Sequence, residues 1–267
     1  MKSLFLTLTF LVVLLACKNT TPPAALKFSQ QEITEEYKQD SMVAFAAKIE
    51  YVVAEGGNPA LCAAINDSIQ KSISFTLQSL TEESTIENLD IKAAVKKFRT
   101  SFDAFVGEQK KLFPKEQMHL SYDFEADAKV SGQNEKVVCI TIGEYYYTGG
   151  AHPNSNIATF VFDKQSGKCI PLSALIKDKN AFQQIIEDSF RAERKIDSKL
   201  SLESEGFYMD ENTKKLRLPV TYSLSEDGKG IVFSYASYEV ASYAAGPTDF
   251  TIPLTSLDKA LDLSQLR

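Results

Sequence analysis

Histidine is nearly missing from this chain: only His119 and His152 occur in 267 residues. With two imidazoles, no His-Glu-x-x-His, no His pair at ligand spacing and no Cys-x-x-Cys, the usual donors of a zinc site are absent. No Gly-x-Ser-x-Gly elbow, Walker loop or Rossmann glycine fingerprint occurs either, so no metal and no cofactor is expected. Tryptophan is absent. Positive charge is in deficit, 29 Lys and Arg against 35 Asp and Glu, for a formal net charge of −6. Nothing here would neutralise a run of phosphates, which argues against nucleic acid and suits a basic partner. Also lacking is an apolar run long enough to span a bilayer, which takes ~20 residues; Leu4 to Leu15 falls short.

That short run, preceded by Lys2 and ended by Leu14-Leu15-Ala16-Cys17, reads as a secretory leader over residues 1–16. A cysteine directly after a small residue resembles the lipobox of bacterial lipoproteins, which makes Cys17 the acylated first residue of the mature chain. Loss of the leader removes Lys2 and no acidic residue, taking the charge from −6 to −7. Residues 17–27, with Pro22-Pro23, then form a tether. The expected address is the cell envelope, extracytoplasmic, with membrane contact through the lipid only. Cys62, Cys139 and Cys169 remain, an odd number. Cys62 sits beside a helical apolar stripe, while Cys139 and Cys169 flank the central loop and form a candidate disulfide in an oxidising compartment.

What is present is apolar material, 44% of residues, arranged in two periods. Met42 to Ala54 is β-leaning and closes at Gly56-Gly57. Asn58-Pro59 supplies a helix cap and first-turn proline before Leu61, Ile65, Ile69, Ile73, Leu77 and Leu80. A second stripe runs through Ile91, Ala94, Val95, Phe98, Phe102, Phe105 and Leu112. Leu120 to Val130 alternates, and Val137 returns antiparallel to it. Asn180 caps a third helix bearing Phe182, Ile185, Ile186, Phe190 and Ile196. Strands follow at Leu216 to Leu224, Ile231 to Tyr235 and Phe250 to Leu254, where Pro253 implies an edge. The order predicts an α+β fold: antiparallel sheet with about three helices segregated from the strands, in two intimately packed subdomains. Their seam is expected near Gly149-Gly150, giving residues 28–148 and 149–267.

The chain is organised around Val137 to Lys168, where Tyr145-Tyr146-Tyr147 leads into Thr148-Gly149-Gly150-Ala151-His152-Pro153-Asn154. At strand spacing Tyr145 and Tyr147 share one face and Tyr146 takes the other. Outward tyrosines suit a protein or a glycan; inward ones are core. His152 has two readings: acid–base work with Asp163, Glu144 or Asp249, or a loop histidine whose ring bonds its own turn. His119 falls where the polar face of a strand begins and is expected at the surface or half-buried.

Two blocks resemble known proteins. Tyr147 to Pro153, with Phe162-Asp163, Gly167-Lys168 and Leu172 to Ile176, is one. Tyr238 to Gly246 followed by Phe250 to Leu254 is the other. With Ala44 to Leu77 they resemble the extracytoplasmic domains of lysozyme-sensing anti-sigma-V factors (RsiV-type) and the non-catalytic N-terminal region of PdaC-type peptidoglycan deacetylases. The resemblance implies an α+β envelope domain that binds lysozyme in the sensors and accompanies a catalytic domain in the deacetylases. Neither a sigma-binding segment nor a deacetylase domain is recognisable. The expectation is a non-catalytic, lipid-anchored binding protein for a lysozyme-like muramidase or peptidoglycan glycan, with Tyr145, Tyr147, Gly149, Gly150, His152 and Tyr243 as its ligand surface. The alternatives are a cell-wall hydrolase using a carboxylate pair and a scaffold for another envelope protein.

Overall fold

The computed structural model describes residues 25–39, 42–81, 85–115 and 118–267. Cys17, the leader and most of the tether lie outside the described residues. Two long helices cover one face of the first sheet. Helix α1 (Pro59–Ser79) starts where the Asn58 side chain accepts from the Ala60 N–H at 3.0 Å, with proline in its first turn. It buries Leu61, Ile65, Ile69, Ile73 and Leu77, the expected stripe. Helix α2 (Ile91–Leu112) is capped by Asp90 and buries Ile91, Ala94, Val95, Phe98 and Phe102. Leu112 does not join them: the helix outruns its core and leaves this residue 68% exposed. Phe98 and Phe102 instead form an aromatic cluster with Phe45 and Tyr122.

The sheet beneath runs β1 (Lys27–Gln39), β2 (Met42–Glu55), β3 (Tyr122–Gln133), β4 (Val137–Tyr147) and β5 (Asn154–Asp163), in that spatial order. All neighbours are antiparallel except β2 and β3, which are parallel; α1 and α2 form the crossover such a pairing requires. β1 is not legible in the sequence because none of its side chains is fully buried. Backbone pairing along β2 makes it a strand, with Phe28 and Ile33 only partly buried against the core. β5 pairs with β4 from Val137↔Asp163 to Tyr146↔Asn154, so the seam expected at Gly149-Gly150 is misplaced. That loop is the tip of a hairpin, and the first sheet ends only at Asp163.

The second part carries α3 (Leu172–Leu175), α4 (Lys179–Arg194), β6 (Thr221–Leu224), β7 (Gly230–Tyr235), β8 (Thr248–Pro253) and α5 (Leu254–Leu257). Its cap is Asp178, not Asn180: the Asp178 carboxylate accepts from the N–H groups of Asn180 and Ala181. Phe182, Ile186 and Phe190 of α4 pack on the β6-β7-β8 sheet, in which β8 is an edge as its proline implies. Among the described residues no helix is long and apolar enough to cross a membrane. The architecture is α+β, with three long helices apart from two sheets.

β4 and β5 hold the two parts together by serving both cores. Val138, Ile140, Ile142 and Phe162 face α1 and α2, whereas Val137, Cys139 and Val161 face the second core. β3 approaches β6 so closely that a Cβ on Gly132 would lie 2.6 Å from the Leu224 carbonyl oxygen.

This same alternation rules out the Cys139–Cys169 pair, and both thiols are free. Cys139 lies opposite Val161 and Cys169 opposite Phe162, so the two point to opposite faces with β5 between them. Cys139 is fully buried, where its sulfur accepts from the Leu224 N–H, and burial pushes its thiol up. Cys62 is half-buried and donates to the Gly56 carbonyl at 2.8 Å. Alkylation of the native protein should label the exposed Cys169 and leave Cys139 unmodified until unfolding. A peptide joining Cys139 to Cys169 after digestion without reductant would contradict this arrangement.

Candidate functional site

The β4–β5 hairpin tip folds back onto the second part through one ring. His152 stacks on Tyr243 with centroids 4.1 Å apart and planes 14° from parallel. Its Nδ1 lies 2.8 Å from the Pro153 carbonyl oxygen, and its Nε2 2.8 Å from the Tyr238 hydroxyl. Because a carbonyl only accepts, Nδ1 donates to it, and Nε2 shares its hydrogen bond with the Tyr238 hydroxyl. The histidine therefore bonds its own turn, and in addition latches the hairpin to the loop before β8. Asp163 is occupied by the Ser166 N–H and hydroxyl at the far end of β5.

Both loops are held in shape. Gly149 takes φ +85°, which its position in the turn requires; Gly150 does not need the left-handed region. Tyr238 sits at φ +69°, a conformation that costs a non-glycine residue about 1–3 kcal/mol. The Ala236 N–H donating to Glu239 at 3.0 Å closes that turn, and burial raises the Glu239 pKa. Beyond it, Arg194 at the end of α4 grips the segment carrying Tyr243. Its guanidinium donates to the carbonyls of Ala245 (2.8 Å), Gly246 (2.9 Å) and Pro247 (3.0 Å) and to the Thr248 hydroxyl. A lysine has no such fork.

Beside the latch a cleft of about 410 Å³ opens on the sheet face opposite the helices. Its floor is Gly143 between Asp127 and Ile157 on the flanking strands. Glu125 and Asp127 stand on one side and Asp249 on the other, with Lys48 bound to Glu50 at 2.7 Å. Tyr145 projects here, 40% exposed; partial burial, then Asp123, Tyr243 and Glu125, raises its phenol pKa. A second cleft of about 700 Å³ shares Ile157 and Asp249 and continues between the sheets. Hydroxyls line it, with Ser131 bridging Ser223 and Thr141 at 2.8 Å each. A Cβ added at Gly143 would meet nothing within 4 Å and would project into the first cleft.

Glu144 belongs to the other side. It is 4% exposed, and its Oε2 accepts from Thr76 of α1 at 2.8 Å and from Asn156 at 3.1 Å, while Oε1 has no partner. Burial pushes its pKa up to about 7, against the two hydrogen bonds. Its carboxyl faces α1 and is not available to the cleft.

The structure thus joins His152, Tyr243 and, near them, Tyr145. Tyr147 lies farther along the same face, opposite Asp123 on β3, and Tyr146 takes the other face, where its hydroxyl accepts from Asn154. Gly149 shapes the turn and Gly150 is exposed. Tyr238 completes the latch; it was visible only as one of several tyrosines, and nothing local marks its left-handed backbone. Asp249, named in the sequence only as a possible acid–base partner of His152, stands instead at the cleft, and Arg194 carries no sequence signal. Among the described residues no three His, Cys, Asp or Glu side chains gather as metal ligands.

Comparison with known proteins follows the same division. Two parts of the chain match two family models. Residues 39–155 match the one described as Deacetylase PdaC, and residues 173–255 the one described as a protein of unknown function, DUF3298. The DUF3298 match contains Tyr238 and Tyr243, and His152 falls at the end of the PdaC match. The chain is similar in structure to a DUF3298 family member from Bacteroides fragilis NCTC 9343, with a TM-score of 0.68 and 19% identity, over 90% of this chain and 94% of that one. It is also similar to a DUF3298 family protein from Pseudomonas aeruginosa PAO1, with a TM-score of 0.60 and 14% identity, over 91% and 96%. At such identities the likeness is one of fold. No curated protein sequence matches the chain.

Proposed function

We propose that this is a non-catalytic binding protein of the cell envelope, lipid-anchored through Cys17. Its latch and acidic cleft receive a basic, lysozyme-like muramidase. The observation that carries this reading is the strained Tyr238 held against the His152–Tyr243 stack. Strain of this kind persists where surrounding structure enforces it, and it clusters at binding sites. Tyr238 and Tyr145, 45% and 40% exposed, offer flat rings with a polar end beside Glu125, Asp127 and Asp249. Such rings anchor interfaces, and carboxylates speed the approach of a basic partner. Peptidoglycan glycan is the second reading, supported by the hydroxyl-lined extension of the cleft. The hydrolase reading loses its best acid, because the carboxyl raised to about 7, Glu144, points into the helices.

Tyr238→Gly tests this with stability and binding moving apart. Glycine relieves the backbone while removing the ring, so the melting temperature should hold or rise. Lysozyme binding should weaken by more than about tenfold. Binding unchanged in that variant would place the ligand elsewhere.

A further inference from the structure

A separate cavity lies at the edge of β5, where Thr159 and Phe160 meet the chain after Cys169 and the approach to β6. Its volume is about 780 Å³, within the range of small-molecule sites. Phe160, Ile170, Leu172, Ile176, Leu218 and Val220 line it. Val220 is 76% exposed and lies on the rim of this concave apolar surface. Two hydrogen-bonding groups of the wall are already used: Tyr222 donates to the Ile170 carbonyl at 2.6 Å, and the Ile170 N–H donates to the Val161 carbonyl at 2.7 Å. The apolar part of the wall suits a hydrocarbon, which needs no hydrogen-bond partner.

The charge around this cavity is the reverse of the rest of the protein. In a chain of net charge −6, its lining includes Lys177 and Lys179 and no acidic residue. Lys177 shares its field with Asp262, whose carboxyl it helps hold low after the Ser264 hydrogen bonds. Among the described residues neither lysine is in an ion pair at contact distance. An apolar trough with two cations fits an acyl chain ending in an anionic head.

We propose that this cavity binds one long-chain fatty acid, with the chain over Phe160, Leu172, Leu218 and Val220 and the carboxylate at Lys177 and Lys179. The site is independent of the latch and of the partner proposed there. Cys169 lines the same cavity as a free thiol and serves as a reporter.

The test is displacement of a dansyl-labelled fatty acid from the full-length chain by palmitate. Saturable one-to-one binding is expected, with hexadecanol, which has no charge, weaker. Val220→Asp and the pair Lys177→Glu with Lys179→Glu should each weaken palmitate by roughly tenfold or more. Both changes are at the cavity mouth, and unaltered melting temperatures would show that folding is intact. Palmitate should also slow alkylation of Cys169, read by peptide mass, without slowing Cys62. Absence of saturable binding, or palmitate affinity untouched by Val220→Asp, would overturn the proposal. So would retention on anionic vesicles with no monomeric binding, which makes the patch a membrane contact. Palmitate-independent dimerisation that alone protects Cys169 would make it an interface between copies, with the same consequence.

Discussion

Glu144→Gln is expected to stabilise the protein at pH 8 by about 3 kcal/mol and to change it little at pH 4. Folding raises this carboxyl from 4.5 to about 7, with burial as the leading cause. The native state therefore keeps a proton between those values that the unfolded chain has released. Stability from this group is full below 4.5 and is lost progressively as pH rises to 7, above which the loss is constant. Glutamine keeps an acceptor for Thr76 and Asn156 without the buried charge. Denaturant titrations of both proteins from pH 4 to 8 decide the matter: the wild-type curve should fall relative to the variant, then run parallel. A difference that does not vary with pH would show that Glu144 is not protonated in the fold.

Gly167→Ala should cost about 3 kcal/mol, from a left-handed backbone and an overpacked contact acting together. Gly167 has φ +72°, and a Cβ there would lie 2.8 Å from the Leu61 nitrogen and 2.9 Å from the Ala60 carbonyl carbon. The turn it closes sits on the first turn of α1, tied by Asn58 donating to the Gln165 carbonyl at 2.7 Å. Lys164 binds the same turn to β3–β4, its N–H reaching the Lys136 carbonyl at 2.7 Å and its ammonium the Asn134 carbonyl at 2.6 Å. Backbone atoms cannot step aside as a side chain tip would. Gly107, in α2 with open space around it, is the control: alanine there should gain about 0.5–1 kcal/mol. Equal behaviour of the two variants in chemical denaturation would mean that the turn does not dock on α1.

The contrast between these glycines is a measure of what sequence alone can convey. Gly56, Gly149 and Gly167 all read as turns, yet only the fold reveals which one presses on another element. Periodicity served well wherever one face is buried: α1, α2, α4 and the alternation of β3 are all where their apolar spacing puts them. It failed for β1, whose edge position leaves no buried side chain to set a period. It also misplaced the seam, because a Gly-Gly loop is equally good as a hairpin tip or as a linker, and only pairing of β5 with β4 distinguishes them. Strand parity correctly split Tyr145 from Tyr146, and the same parity, applied across β5, separates Cys139 from Cys169. The site was half visible. His152 and Tyr243 stood out by type and context and Asp249 as one of three carboxylates, whereas Tyr238 and Arg194 enter through contacts 50 or more residues away in the chain.

The central claim is that the latch and acidic cleft form one binding surface for a basic lysozyme-like protein. Its most direct measurement is calorimetric titration of the full-length chain with lysozyme, at low and at high salt, alongside Gly143→Leu. A Cβ at that open position meets nothing within 4 Å, so a leucine there enters the cleft from its floor. Wild type should bind one-to-one with a dissociation constant of about 1 μM or tighter, more weakly as salt screens the carboxylates. Gly143→Leu should keep its melting temperature and lose most of that affinity. No binding by the wild type, or equal affinity in Gly143→Leu, would contradict the claim.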